Sequence, residues 1–259
     1  MSHQTQSESI EVGQFDRMPY LGVLTYPRPN LRVAESRIEQ LRGLGVTGVT
    51  FEGKTKIGRL GLVGIGTVGL VVKATRAGAG CALKIRRTDA NREDMAEEFR
   101  LTRLANRVGV GATADAATAD FITMEFVKGE GVQEYVKGIS GKGKARKIKE
   151  LLHGILNQCR KLDLLGLDHG QLSDLRKHVI MREGVPCIID FESASQGRAP
   201  RNVTTAAQYL LVGGSVSPMV RRMIGLRATE PLLKALKRYK TEMSDENYVR
   251  LLSTVGVRI

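Results

Sequence analysis

The chain has 259 residues, 42% of them hydrophobic, and carries a formal net charge of +13. That length allows one large domain or two lobes with cores of their own, and the composition excludes a disordered chain. The charge favours anionic partners, while the absence of tryptophan and an aromatic content of 5% exclude a single-strand surface built on base stacking.

In chain order, residues 1 to about 20 read as a polar, loosely ordered arm without a basic-then-apolar signal pattern. Val33 to Leu44 reads as a helix stopped by Gly45. Val46–Phe51, Leu60–Gly64, Gly69–Arg76 and Cys81–Arg86 read as successive strands. Asn91–Arg107 predicts a helix whose apolar face is Met95, Phe99, Leu101 and Leu104, with its acids early, as the macrodipole prefers. Phe121–Val127 is an apolar strand. The segment GISGKGKARKIKE, Gly138 to Glu150, predicts an exposed basic loop leading into a helix over Arg146–Gly166. His178–Met181 and Cys187–Phe191 read as short strands joined by Arg182-Glu183-Gly184. From Asn202 the chain reads as helical, with breaks at Gly213/Gly214, Pro218 and Pro231.

Strands first and helices later predict an α+β fold in two lobes. The expected division is an arm and helix over residues 1–45, an N-lobe over 46–127 and a C-lobe over 128–259. The longest apolar run, Leu60–Val72, is too short and too rich in glycine to cross a membrane, so no membrane partner is expected. Cys81, Cys159 and Cys187 lie far apart without a C-x-x-C pair. They predict neither a zinc site nor a disulfide framework, and fit a reducing, cytoplasmic location.

Two constellations carry chemistry. Gly64 to Ala74 reads GIGTVGLVVKA, and CALKIRR follows from Cys81. Glycines at 64, 66 and 69 let backbone amides approach an anionic ligand, and Lys84 on the next strand adds a positive charge for the same phosphates. A dinucleotide-binding turn needs its glycines to open a helix, but here a β-type run and then Gly78 and Gly80 follow, a strand–turn–strand frame. Gly48 to Thr55 also fits G-x-x-x-x-G-K-[ST], whose mechanism requires a helix after Lys54 and Thr55. The glycines at 58, 61, 64 and 66 oppose one.

The second constellation is Leu167-Asp168-His169-Gly170-Gln171-Leu172-Ser173-Asp174, followed by a hairpin ending in Ile188-Ile189-Asp190-Phe191-Glu192. A carboxylate at the end of an apolar strand is held rigidly, which suits a magnesium ligand that shares its ion with substrate phosphates.

Together these motifs resemble the protein-kinase-like family, nearest the small atypical archaeal kinases of the RIO type, the KEOPS complex and the archaeal predicted serine/threonine protein kinase group. The resemblance runs from about Ile57 to about Leu211. It implies a two-lobed kinase-like fold with a strand-rich N-lobe holding one helix, a mostly helical C-lobe and a shortened activation segment. It further implies ATP and Mg2+ as cofactors and phosphoryl transfer to serine or threonine. Gly64, Gly66, Gly69 and Val71 match the nucleotide loop, and Ala82 and Lys84 the strand that follows. Glu98 matches the helix glutamate that pairs with the lysine. Glu125 and Val127, in ITMEFVKG, match the hinge that offers backbone groups to adenine. Asp190 matches the metal-binding aspartate, in D-F-E instead of D-F-G, and Glu192 is a further metal candidate.

The departures lie in the catalytic loop. Gln171 stands where the family has its catalytic aspartate, and an amide cannot take the substrate proton as a carboxylate does. Asp168 or Asp174 is expected to serve in its place. Five residues beyond Gln171 stands Arg176; a loop two residues longer puts His178 at the family's metal-binding asparagine.

The expected function is therefore ATP/Mg2+-dependent phosphoryl transfer, as an atypical serine/threonine kinase of weak activity. The alternative is a nucleotide-binding pseudokinase or slow ATPase acting as a switch in an RNA- or ribosome-related assembly. The phosphoacceptor, another protein or the chain itself, is left open. The basic stretch Lys137–Lys149 is a candidate contact for RNA or another polyanion.

Overall fold

The computed structural model describes residues 7–257. The chain forms an α+β structure in two compact units, a strand-rich one first and a largely helical one second. The first unit runs to Arg103 and resumes over Ala112–Phe126; the second takes Leu104–Gly111 and everything from Val127 onward.

In the first unit, β1 (Glu8–Glu11), a 3₁₀ turn over Val12–Asp16, α1 (Tyr20–Leu24) and α2 (Leu31–Gly43) precede a series of strands. These are β2 (Val46–Phe51), β3 (Thr55–Ile57), β4 (Leu60–Leu62), β5 (Gly64–Ile65), β6 (Gly69–Arg76) and β7 (Ala79–Arg86). Helix α3 (Ala96–Arg107) and the strands β8 (Ala114–Ala117) and β9 (Phe121–Met124) follow. The main sheet has the order β1-β2-β6-β7-β9-β8, with β5 also paired to β6.

Strand period places the key residues of β7. Leu83 and Ile85 alternate into the main core with Leu70, Val72 and Phe121, so Ala82 and Lys84 point to the opposite face. The β6–β7 turn is a two-residue loop, Ala77-Gly78, with both residues at positive φ (47° and 80°). That is the type I′ geometry whose twist suits a tight hairpin.

The expected loose arm is corrected from Glu8 onward; residues 1–6 lie outside the described residues. β1 pairs antiparallel with β2, and Ile10, Val12 and Phe15 are buried in the core. Three apolar residues among polar ones look polar on average; the β1 pairing and the 3₁₀ turn that follows it carry all three into the core. The α2 segment is tied in by Arg37, a fully buried guanidinium that donates to the Leu24 carbonyl at 2.5 Å and to Asp120 at 2.6 Å. Burial raises the Asp120 carboxyl, but hydrogen bonds from Arg37 and Gln40 outweigh it and hold it below the usual range.

Helix α3 begins at Ala96 instead of Asn91. Asp94 accepts the Ala96 amide at 2.9 Å and the Arg92 carbonyl is taken by Arg86, so the chain before it is spoken for. Strand β9 ends at Met124, three residues short of its expected end.

The second unit holds β10 (Glu130–Gly131), α4 (Val132–Gly138), α5 (Lys144–Leu164), α6 (Leu175–His178), β11 (Val179–Arg182) and β12 (Val185–Ile188). Then come α7 (Asn202–Gln208), extended by a π-turn to Gly213, α8 (Ser217–Ile224), α9 (Glu230–Thr241) and α10 (Asp245–Thr254). The helical stretch is interrupted at the expected places, and Pro218 and Pro231 sit in the first turns of the helices that resume, α8 and α9, where the missing N–H costs little. Among the described residues no helix is long and apolar enough to cross a membrane.

Candidate functional site

In the first unit, β5 and β6 close a hairpin whose Gly66 amide donates to the Gly69 carbonyl at 2.8 Å. Gly69 is required by packing, not by φ. A Cβ there would stand 3.0 Å from the Ile85 carbonyl oxygen and 3.1 Å from the Lys84 side chain. The glycine loop therefore lies directly over Lys84. Gly64 pairs with Val71, and the Arg87 guanidinium donates to the Gly66 carbonyl, fixing the base of the hairpin. No helix follows Lys54 and Thr55; they lead into β3, which removes the mechanism of the P-loop pattern.

Lys84 Nζ donates to Glu98 Oε1 at 2.6 Å, and Arg92 approaches the other carboxylate oxygen at 3.3 Å. Both partners are buried, Lys84 at 5% and Glu98 at 3% exposure. A buried ion pair contributes little net stability because desolvation offsets the attraction. The pair lies on the face of β7 away from the main core. Ala82 lies next to Lys84 on that face, paired with Met124. The Glu125 amide donates to the Thr113 carbonyl at 2.9 Å, and the chain passes into the second unit between Phe126 and Val127.

In the second unit, Asp168 and Ser195 exchange two backbone hydrogen bonds, clamping the loop 168–174 onto the segment after Asp190. His169 is fully buried. Its amide donates to Asn202 Oδ1 at 2.8 Å and its Nε2 lies 3.0 Å from the Ile189 carbonyl. A carbonyl only accepts, so Nε2 carries the proton and Nδ1 is a buried lone pair without a hydrogen-bond partner. Burial drives the His169 pKa down to about 4. Because it titrates lower when folded than when unfolded, its stabilising effect is complete above about pH 6.5 and is lost as pH falls toward 4. The size is about 3 kcal/mol at most. Melting wild type and His169→Gln between pH 7 and 4.5 should show a steeper loss of Tm in the wild type. Parallel curves would mean that His169 does not control the acid transition.

Phe191 packs against the His169 ring, 5.0 Å between centroids, and is 1% exposed. Gly111, at φ +89°, makes room for it: a Cβ there would be 2.9 Å from the Phe191 ring. With Phe191 anchored, Asp190 is held at φ +70°, a left-handed conformation unusual for a residue other than glycine. The His178 Nδ1 stands 3.8 Å from Asp190 Oδ2 and has no hydrogen-bond partner. Burial lowers the His178 pKa against the opposing fields of Asp190, Glu192 and Asp174, so a neutral imidazole nitrogen faces the carboxylate.

The structure brings Asp190 and His178 together, and it commits both acids expected to replace the missing base. Asp168 receives Arg198 at 2.9 Å and the Arg201 amide at 3.3 Å. Asp174 caps α6 and forms a two-pronged pair with Arg176, which lowers its carboxyl pKa. A lowered pKa makes a weaker base. Gln171 remains, its buried Oε1 without a hydrogen-bond partner. Among the described residues no three of His, Cys, Asp or Glu gather as a metal-holding group. A cation at Asp190 would draw its remaining ligands from water or phosphate, as magnesium does.

Sequence reasoning missed Asn202 and Asp163. Asp163, on α5, accepts from the Asn202 and Val203 amides, the Asn202 side chain and the Tyr239 hydroxyl. It thereby fixes the carboxamide that holds His169. Burial raises the Asp163 carboxyl pKa despite these bonds. Asn202 at the start of a helical stretch was the available signal; nothing along the chain linked it to position 163.

No protein-family profile matches the chain. Over 119 residues it is similar to the uncharacterized protein MJ1211 of Methanocaldococcus jannaschii, at 29% identity, a stretch covering 45% of this chain and 98% of that protein.

Proposed function

We propose that the chain is a small ATP- and Mg2+-dependent phosphotransferase of the protein-kinase-like type. The observation that carries this reading is the buried Lys84–Glu98 pair, 2.6 Å apart beneath the close-packed Gly69 of a glycine hairpin. A lysine desolvated and aimed by a carboxylate beneath a glycine hairpin is suited to nucleotide phosphates. Magnesium supplies charge neutralisation of those phosphates. The left-handed Asp190 with the neutral His178 beside it fits such an ion, and Glu192 is the further candidate ligand. Glu125 and Val127 would meet adenine. Serine or threonine hydroxyls, of another protein or of the chain itself, are the acceptors in this reading, and the chain works in the cytoplasm.

A second reading, a nucleotide-binding switch or slow ATPase, is favoured by one feature. Asp168 and Asp174 are both held in arginine pairs, and Gln171 offers only an amide oxygen to a hydroxyl. Titration with a fluorescent ATP analogue, with and without magnesium, tests the shared nucleotide site. Release and transfer of γ-labelled phosphate then separates the readings. Gln171→Asp is expected to leave nucleotide affinity unchanged and raise turnover by about 10²-fold or more, since a positioned general base is worth about 10²–10⁴. Unchanged turnover at full affinity would favour the switch. No magnesium-dependent nucleotide binding would reject both.

A further inference from the structure

We propose that the groove between α9 and α10 binds the phosphodiester backbone of a nucleic acid. Two adjoining surface cavities, of about 280 and 420 Å³, share Lys234, Arg238 and Asn247. Each is far larger than the ~30 Å³ that a water occupies. Four cationic side chains line them: Lys234, Lys237, Arg238 and Arg250. Their one lining carboxylate, Glu242, sits past the end of α9, where the Asn247 side-chain amide approaches it at 3.4 Å.

The charge is not neutralised locally. Lys234 and Arg250 make only exposed pairs one turn away, with Glu230 and Glu246. Such pairs are worth little and exchange readily for a phosphate. Neither Lys237 nor Arg238 has a carboxylate partner among the described residues.

The geometry favours a strand of phosphates over a single anion or an acidic peptide. Lys234 to Arg238 spans four residues of α9, about 6 Å, and Arg250 lines the same groove from α10, so the cations form a short track on both walls. The track continues onto α5. The Lys149 ammonium lies against Gly256, where an added Cβ would stand 2.9 Å from it, two residues beyond the cavity-lining Thr254. The packing that sets this continuity is internal to the unit: Arg160 of α5 lies over the rings of Tyr239 and Tyr248 and donates to Asp245. Pro231 and Ala235 alone offer apolar lining, so a peptide finds no anchor pocket. No aromatic residue lines the groove, so binding reads phosphate without base sequence.

The test is fluorescence anisotropy of the full chain with an RNA hairpin, a DNA hairpin of the same sequence and poly-glutamate, across a salt series. Each phosphate contact contributes about 0.7–0.9 to the slope of log affinity against log salt. The double variant Lys237→Ala/Arg238→Ala is therefore expected to lose roughly 1.5 slope units and about tenfold or more in affinity at low salt. Both residues are exposed, so circular dichroism and Tm should be unchanged. A control of equal charge loss on the other unit, Arg32→Gln/Arg42→Gln, should leave the slope intact. Preference for one hairpin identifies the nucleic acid, and equal binding assigns the shared backbone. Equal losses in both double variants, an unchanged slope, or poly-glutamate binding as tightly as RNA would each overturn the proposal.

Discussion

Lys84→Met is expected to remove nucleotide binding while the chain stays folded, and Glu98→Ala is expected to lower stability by about 3 kcal/mol. Removing one member of a buried ion pair leaves the other buried charge with less compensation, and that is costly. Without Lys84, the Glu98 carboxylate keeps Arg92 at 3.3 Å; without Glu98, the Lys84 ammonium loses its acceptor at 2.6 Å. Methionine also fills the space of the lysine stem without a charge. Urea denaturation of the two variants measures the stability change, and titration with an ATP analogue measures the function. Wild-type affinity in a folded Lys84→Met would take the lysine out of phosphate binding. Wild-type stability in Glu98→Ala would show that the pair does not support the fold.

The second large effect is expected at Asp190. Asp190→Gly should abolish the magnesium dependence of nucleotide binding and reduce transfer by about 10²–10³-fold, while stability stays within about 1 kcal/mol of wild type. A non-glycine residue at φ +70° carries a backbone cost of order 1–3 kcal/mol, toward the low end for aspartate. Glycine relieves that cost and gives back about 0.5–1 kcal/mol through the freedom of its unfolded chain. Asp190→Asn separates charge from conformation: it keeps a side chain tolerant of the left-handed region and should lose magnesium dependence as fully as glycine does. Paired titrations with and without magnesium, together with thermal melts, decide the point. Magnesium dependence surviving in both variants would remove Asp190 from the metal role. A loss of several kcal/mol in Asp190→Gly would mean that the carboxylate, beside His178, is part of what holds the loop.

Some of this was legible from residue order because it depends on local period. Alternation along Cys81–Arg86 puts Lys84 on the face opposite Leu83 and Ile85, and helical spacing puts Glu98 with Met95 and Leu101. The glycine and β-type residues of 64–74 exclude a helix, and the structure has a hairpin there. The apolar strand before Asp190 and the helix from Asn202 follow from the same reasoning.

What depends on partners far along the chain was decided only by tertiary structure. The first described residues look like a polar arm until β2 supplies an edge that gathers Ile10, Val12 and Phe15 into the core. Asp168 and Asp174 are chemically alike in sequence. Arg198, thirty positions from Asp168, ties up that carboxylate, whereas Asp174 is tied up locally, by Arg176 two residues on. The left-handed backbone of Asp190 directly precedes Phe191, which is anchored against His169 and Gly111. The basic groove exists because Arg160 holds α9 and α10 together through Tyr239, Tyr248 and Asp245. Periodicity is a property of neighbouring residues, so the chain carries it openly. Burial, pKa and the pairing of distant charges are properties of the packed state, and only its geometry assigns them.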